Sequence, residues 1–264
     1  MKLAIAGASG RMGRMLIEAA LAAPDMTVAA ALDQPASAAL GQDCAAFLGR
    51  TSGTRISADI HAIAGCDVLI DFTRPEGTLA HLPACVRHGV KAVIGTTGFD
   101  EAGRAAIRNT SESVALVFAP NMSVGVNATF KLLQVAAQML DLDWDAEVVE
   151  AHHQHKVDAP SGTALRMGEL IAQARGQNFK DVAVLSREGH TGERTHGSIG
   201  FATVRGGDIV GDHTVMFCGA GERVEITHRS TSRAGYASGS LRAARFLKQK
   251  STGLFDMFDV LGLK

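Results

Sequence analysis

Short apolar runs closed by small or polar residues recur along the first half of the chain, at 3–6, 27–32, 67–72, 91–94 and 114–118. Runs of this length without strict alternation are the pattern of strands buried on both faces, as in a parallel sheet. Between them lie stretches with helical spacing: Met15, Leu16, Ala19 and Ala20 after the first run, then 78–88 and 100–108. Strand and helix alternating in this way predict an α/β fold built on a right-handed, doubly wound parallel sheet. At Ser123 the pattern changes. A longer helix is predicted over 126–140, with Phe130, Leu133, Ala137 and Leu140 on one face, and another over 164–174. From Asp181 the chain turns strand-rich, at 182–185, 199–204, 208–218 and 223–228. Gly206-Gly207 and Gly219-Ala220-Gly221 read as hairpin connections, so this block predicts a second, α+β domain with a mixed or antiparallel sheet. A helix returns at 240–248, and the apolar tail at 254–263 is expected to pack back on the first domain. The domains are therefore placed at 1–123 with 233–264, and at 124–232.

The first strand is followed by Gly7-Ala8-Ser9-Gly10-Arg11-Met12-Gly13 and then by a helix. Strand, glycine loop and helix in that order are the context of a dinucleotide fingerprint, here spaced GxxGxxG. One glycine serves the tight turn, one the approach of pyrophosphate to backbone, and one the packing of helix on strand. The second strand ends in Asp33, about twenty positions further on, where an acid accepts hydrogen bonds from the adenosine ribose. The first domain is thus Rossmann-like. Asp33 repels a 2′-phosphate and Gln34 offers no cation to offset it, so NADH is expected to be favoured over NADPH, with Arg11 leaving room for NADPH. The other strand tips carry small groups with spare hydrogen bonds, Gly95-Thr96-Thr97 and Ala119-Pro120-Asn121-Met122. Ligands of such sheets bind beyond the carboxyl ends of the strands, which makes these segments candidate walls around ribose and nicotinamide.

The second domain holds the densest chemistry, at Glu150-Ala151-His152-His153-Gln154-His155-Lys156-Val157-Asp158-Ala159-Pro160-Ser161-Gly162-Thr163. Three histidines and a lysine precede a helix start marked by Asp158, Pro160 and Ser161. The first amides of a helix are unpaired and lie at the positive end of its dipole, so Ser161-Gly162-Thr163 forms a carboxylate or phosphate pocket. Three readings of the histidines compete. A zinc site needs convergent ligands, whereas His152 and His153 are adjacent and point to opposite faces of a strand. No other Cys or His pair has metal spacing, and no metal is assigned. Solvated loop histidines are the second reading. Proton exchange and substrate binding, for which imidazole is suited near neutral pH, are the reading that the adjoining anion pocket and the glycine loop favour.

Composition narrows the classes. The chain has 264 residues and a formal net charge of −1, which offers no general attraction for nucleic acid or an anionic membrane. The cysteines Cys44, Cys66, Cys85 and Cys218 are scattered without a CxxC pair, as expected of reduced thiols in a cytoplasmic protein. The opening apolar run is too brief for a signal peptide, and no stretch approaches a membrane span.

The segments GASGRMGR (7–14), DFTRPEGT (71–78), IGTTGFDEAG (94–103), EAHHQHKVDAPSGTAL (150–165), SREGHTGER (186–194) and GFATVRGGDIVGDHTV (200–215) together resemble the dihydrodipicolinate reductase family. The likeness runs from the first strand to Gly253-Leu254-Phe255-Asp256-Met257; the 150–165 segment is specific to the family and the glycine loop is not. The resemblance implies an enzyme of lysine and diaminopimelate biosynthesis. It would use NAD(P)H to reduce a cyclic dicarboxylic imine, 4-hydroxy-tetrahydrodipicolinate, and would assemble as a homotetramer through the sheets of the second domain. By position, His152 is similar to the family's acid/base histidine and Lys156 to its proton donor; His153, Gly162 and Thr163 resemble its carboxylate site. Gly7 to Met12, Asp33, Gly95 to Thr97 and Ala119 to Met122 fall where the family binds the dinucleotide. Many members carry arginine where this chain has Gln34. Were 152–156 extended, His152 and Lys156 would lie roughly 13 Å apart at about 3.3 Å per residue, so sharing a reacting atom requires a bend or the length of the lysine. A dinucleotide-binding protein without turnover has no use for the histidine–lysine segment, and a metal-dependent hydrolase has none for the glycine loop. A semialdehyde dehydrogenase needs a nucleophilic cysteine, and none of the four has that setting.

Overall fold

The computed structural model describes residues Met1–Lys264. In chain order the strands and helices are β1 (Lys2–Ala6), α1 (Arg11–Ala22), β2 (Thr27–Leu32), β3 (Ile56–Ser57), β4 (Val68–Asp71), α2 (Pro75–His88), β5 (Lys91–Ile94), α3 (Glu101–Ser111) and β6 (Ala115–Phe118). There follow α4 (Val124–Met139), β7 (Asp145–His152), α5 (Gly162–Ala174), the single-turn α6 (Phe179–Val182), β8 (Ala183–Val184), β9 (Ile199–Arg205), β10 (Gly211–Cys218), β11 (Arg223–Ser230), α7 (Ala234–Leu247), β12 (Gly253–Phe255) and α8 (Met257–Leu261). They form two compact units, one of Met1–Val124 with Ala234–Lys264 and one of Gly125–Arg233.

The first unit is a seven-stranded, wholly parallel sheet in the order β12-β6-β5-β4-β1-β2-β3. Side chains alternate across a strand, so β1 sends Leu3 and Ile5 into one layer and Ala4 and Ala6 into the other. The first layer is closed by Leu16 and Ile17 of α1, Leu241 and Leu247 of α7 and Val260 of α8; the second by Leu82 of α2 and Ile107 of α3. Each fully buried Leu or Ile contributes about 1.5–3 kcal/mol, and both layers depend on strands that are apolar on both faces. The 254–263 tail does pack into this unit, with more order than the sequence shows: β12 extends the sheet beside β6 and α8 follows. The two-residue β3 has no sequence signal of its own.

The second unit is a mixed five-stranded sheet, β11-β10-β7-β9-β8. One expectation fails here. Gly206-Gly207 does not close a hairpin, because β9 and β10 are not neighbours; β7 lies between them, parallel to β9 and antiparallel to β10. The diglycine bonds the end of β7 instead: Gly206 N–H donates to His152 O (3.0 Å) and Gln154 N–H to Gly207 O (3.2 Å). The other glycine turn, 219–221, does join the antiparallel pair β10 and β11. On its buried face β7 carries Ala146, Val148, Glu150 and His152, and β10 carries Gly211, His213, Val215 and Phe217. The buried stripe is apolar at one end and ionisable at the other. No helix of either unit is long and apolar enough to cross a membrane.

The glycine loop also sets a packing limit. A Cβ at Gly13 would overlap Gly7 O and press on the backbone of Ala8. Gly13→Ala should therefore destabilise the fold by about 1–3 kcal/mol, read as a lower melting temperature; an unchanged value would contradict this close approach.

Candidate active site

In the first unit the strand tips at one edge of the parallel sheet gather the residues expected around a dinucleotide. Gly7 adopts φ +66°, a left-handed conformation suited to glycine, and its carbonyl accepts Gly10 N–H at 2.9 Å. Ala8 N–H donates to Leu32 O (2.9 Å), tying the loop to β2. Ser9 N–H donates to Asp33 Oδ2 (3.0 Å), and Gln34 N–H to Asp33 Oδ1 (2.8 Å). Burial opposes ionisation of Asp33, but hydrogen bonds from Ser9, Gln34 and Ser37 outweigh it and hold the carboxyl below its ordinary range. Helix α1 begins behind Gly10, which has no side chain to cap it, and no acid stands in its first turn; Arg11 there is exposed. Bare first-turn amides, a loop without side-chain bulk and an ionised acid at the next strand tip fit a dinucleotide's pyrophosphate and ribose.

The remaining tips divide. Thr97 is exposed, whereas Thr96 is buried and accepts a hydrogen bond from Thr78 Oγ1 (2.9 Å). A Cβ at Gly95 would run into the Phe72 ring, so that glycine serves packing. Asn121 Oδ1 accepts Ser123 N–H (2.9 Å), shaping the turn at Ala119-Pro120-Asn121-Met122, where Pro120 is exposed and Met122 buried. Beneath these loops Asp71 is buried and receives Thr73 N–H (2.8 Å), Thr73 Oγ1 (2.6 Å) and His81 Nδ1 (2.7 Å).

The second unit assembles its polar cluster around Glu150, which is 1% exposed. Glu150 and His152 are two apart on β7 and so share a face, and His152 Nδ1 donates to Glu150 Oε2 at 2.6 Å. The parallel register sets Arg205 of β9 opposite His152, and its guanidinium reaches both Glu150 oxygens at 2.8 Å. Ser161 N–H (3.0 Å) and Thr203 Oγ1 (3.3 Å) complete the shell. Burial works against the charge, yet the bonds from Arg205, His152 and Ser161 prevail and lower the Glu150 pKa to about 2.

Ser161 caps α5 by accepting Ala164 N–H (3.1 Å), and its hydroxyl shares a hydrogen bond with His213 Nε2 (3.0 Å). His213 lies edge-to-face with His152, ring centres 5.1 Å apart. Burial first, then the neighbouring His152, push the His213 pKa down to about 4. The first-turn amides of Gly162 and Thr163 remain available for an anion. Lys156 N–H donates to His153 O at 3.1 Å, so 153–156 is a turn, and the bend that proximity of His152 and Lys156 requires is present. The Lys156 ammonium is held by both oxygens of Asp158 (2.7 and 2.8 Å). His153 is half-buried; burial, then the charges of Arg233, His155, His152 and Lys156, lower its pKa. No group of three or more His, Cys, Asp or Glu side chains is placed to hold a metal ion.

Sequence reasoning named His152, His153, Lys156, Ser161, Gly162 and Thr163 but gave no role to Glu150, Arg205, His213 or Arg233. The period-two stripe of β7 carries the missing signal: a glutamate at a buried position demands a cation, and Arg205 and His213 are polar residues in otherwise half-apolar strands.

A parallel-sheet unit with this loop and acid, in one chain with a histidine–lysine segment feeding a helix N-terminus, defines a two-unit, dinucleotide-dependent oxidoreductase. Residues 1–122 match the family described as dihydrodipicolinate reductase, N-terminus, and residues 125–261 that described as dihydrodipicolinate reductase, C-terminus. The chain belongs to the dihydrodipicolinate reductase family and is an enzyme. It is 66% identical to the 4-hydroxy-tetrahydrodipicolinate reductase of Cupriavidus pinatubonensis, over the full length of both chains. It is 63% identical to the protein of that name from Burkholderia pseudomallei, again over both full lengths. The fold is shared with a dipicolinate-bound dihydrodipicolinate reductase from Paenisporosarcina sp. TG-14, with a TM-score of 0.79, 24% identity and 98% of each chain covered.

The two shifts give stability one pH sense. A group that binds its proton less readily folded than unfolded removes stability as pH falls. The His213 contribution is complete above about 6.5 and is lost toward about 4; that of Glu150 is lost between 4.5 and about 2. Melting temperature should thus decline from pH 7 to 4, and His213→Gln, whose amide can still hydrogen-bond Ser161, should flatten the decline. His153 and His228, lowered chiefly by burial, leave a residual slope. An identical decline in the variant would contradict the assignment.

Proposed function

We propose that this enzyme reduces 4-hydroxy-tetrahydrodipicolinate to tetrahydrodipicolinate with a reduced nicotinamide dinucleotide, in lysine and diaminopimelate biosynthesis. The observation that carries the reading is the segment from His152 to Thr163, which sets titratable cations directly before the free amides of a helix, in a chain 66% identical to a named reductase of that substrate. The family binds a nicotinamide dinucleotide, and the first unit, the dinucleotide-binding domain of this reading, holds it through Gly7 to Met12, Asp33, Gln34, Gly95 to Thr97 and Ala119 to Met122. The bound cofactor supplies hydride. In the substrate-binding second unit, His153 and the amides of Gly162 and Thr163, with Ser161 fixing the helix start, take the two carboxylates. Lys156, the proton donor of this reading, quenches the negative charge left on the ring, and His152 polarises or relays beside it. Positioned acids of this kind contribute about 10²–10⁴-fold.

Asp33, ionised and bonded to the glycine loop, favours NADH over NADPH because no cation at Gln34 offsets a 2′-phosphate. The half-apolar outer face of the second unit's sheet, with Val149, Ala151, Val204 and Met216 accessible, supports self-association as a homotetramer. The free cysteines fit a cytoplasmic setting.

Lys156→Ala and His152→Ala should each lower turnover about 10²-fold or more while NADH binding persists; full turnover in both would remove the assignment. Asp33→Ala should weaken NADH and narrow its advantage over NADPH, an outcome read from the two dissociation constants, whose unchanged ratio would count against the ribose contact. Sedimentation should give four times the 27.6 kDa chain mass; a monomer would refute the tetramer.

A further inference from the structure

We infer that Glu150 is the positioning residue of this site, fixing His152 so that protons enter and leave only at Nε2 while the same carboxylate seats the amide mouth of α5. The inference rests on the proposed function and goes beyond the roles given there. Glu150 has no accessible surface with which to meet a substrate, being 1% exposed, so its effect must pass through the groups it binds. An ionised carboxylate can only accept. Its 2.6 Å contact therefore places a hydrogen on His152 Nδ1 in either charge state, and the neutral ring has its lone pair on Nε2.

Nε2 looks toward Gly211, where an added Cβ would stand 3.0 Å from it, so the missing side chain keeps that nitrogen approachable. In the proton step the Nε2–H bond breaks, the electron pair stays on the ring, and the proton passes to the Lys156 amine or to the substrate anion. Nδ1–H stays with Glu150 throughout. The second oxygen accepts Ser161 N–H, one residue before the free amides of Gly162 and Thr163. Arg205 locks the carboxylate with a two-pronged contact and also donates to Asp158 O (2.6 Å), holding the start of the return from the Lys156 turn. The neighbouring His213 has its Nε2 engaged by Ser161 Oγ (3.0 Å), so the nitrogen that His152 leaves open is already occupied there.

The test is ¹⁵N spectroscopy of histidine-labelled full-length protein together with steady-state kinetics of Glu150→Gln. The native protein at high pH should show His152 as the Nδ1–H tautomer, and an Nε2–H signal would overturn the inference without any variant. In Glu150→Gln the tautomer should become mixed, kcat should fall roughly 10²-fold, and KM for the imine should rise while KM for NADH stays put. A purely structural glutamate would leave the tautomer as it was in the folded variant. Should the single variant fail to fold, Glu150→Gln with Arg205→Gln, which removes both charges of the pair, gives the same spectroscopic readout. Unchanged tautomer and kcat beside an inactive His152→Ala would sink the inference alone; an active His152→Ala would sink the functional reading beneath it.

Discussion

A carboxylate removed from water costs several kcal/mol unless its lone pairs are met, and in the second unit that requirement falls on Glu150. Its partners come from three separate elements: His152 on the same strand, Arg205 and Thr203 on β9, and the Ser161 amide at the head of α5. Satisfying one buried charge therefore fixes the register of β7 on β9 and the return of the 153–161 loop to the sheet. Slipping β9 by one residue would turn Arg205 to the other face and leave the charge unmatched. The cluster is in this sense the condition under which the polar end of the sheet can be buried at all.

The first unit meets its constraint by the opposite means. Around Gly7 to Gly13 what matters is side-chain volume that is missing, since α1 can approach β1 only where Gly13 adds nothing over Gly7 O. At the next strand tip stands the carboxylate of Asp33, and even that is used partly on the loop itself through Ser9 N–H. Below the tips, Asp71 does for β4 and β5 what Asp33 does for β1 and β2, joining Thr73 and Thr96 to its own strand end.

This contrast accounts for what the sequence discloses. A strand, a glycine loop, a helix and an acid about twenty positions later lie within one local stretch, so the first unit is readable by inspection, as are the strand tips at Gly95 and Ala119. The order of events from His152 to Thr163 is equally local. Arg205 and His213, by contrast, lie 55 and 63 residues beyond Glu150 in the chain, and only the sheet order makes them neighbours. Gly206-Gly207 misleads for the same reason: a diglycine marks a turn but does not name the strand that follows, and here β7 already occupies the place beside β9. The short β3 and β12 are held by pairing with longer strands, which no local pattern records.

The two helix mouths complete the comparison. Helix α1 opens behind Gly10, with neither a capping side chain nor an acid in its first turn, so its amides are wholly available. Helix α5 opens behind Ser161, whose oxygen already takes Ala164 N–H, leaving the Gly162 and Thr163 amides. A pyrophosphate keeps its charge through a catalytic cycle, and fixed dipoles suit it. A substrate that must accept a proton needs donors that can give one up, and these cannot all be backbone amides. In the proposed function, His152, His153 and Lys156 ahead of the more heavily capped helix supply titratable charge where the amides alone fall short. In the proposed reading the chain divides its labour by chemistry: permanent charge is met by backbone, changing charge by side chains, of which the buried glutamate holds His152 in one orientation.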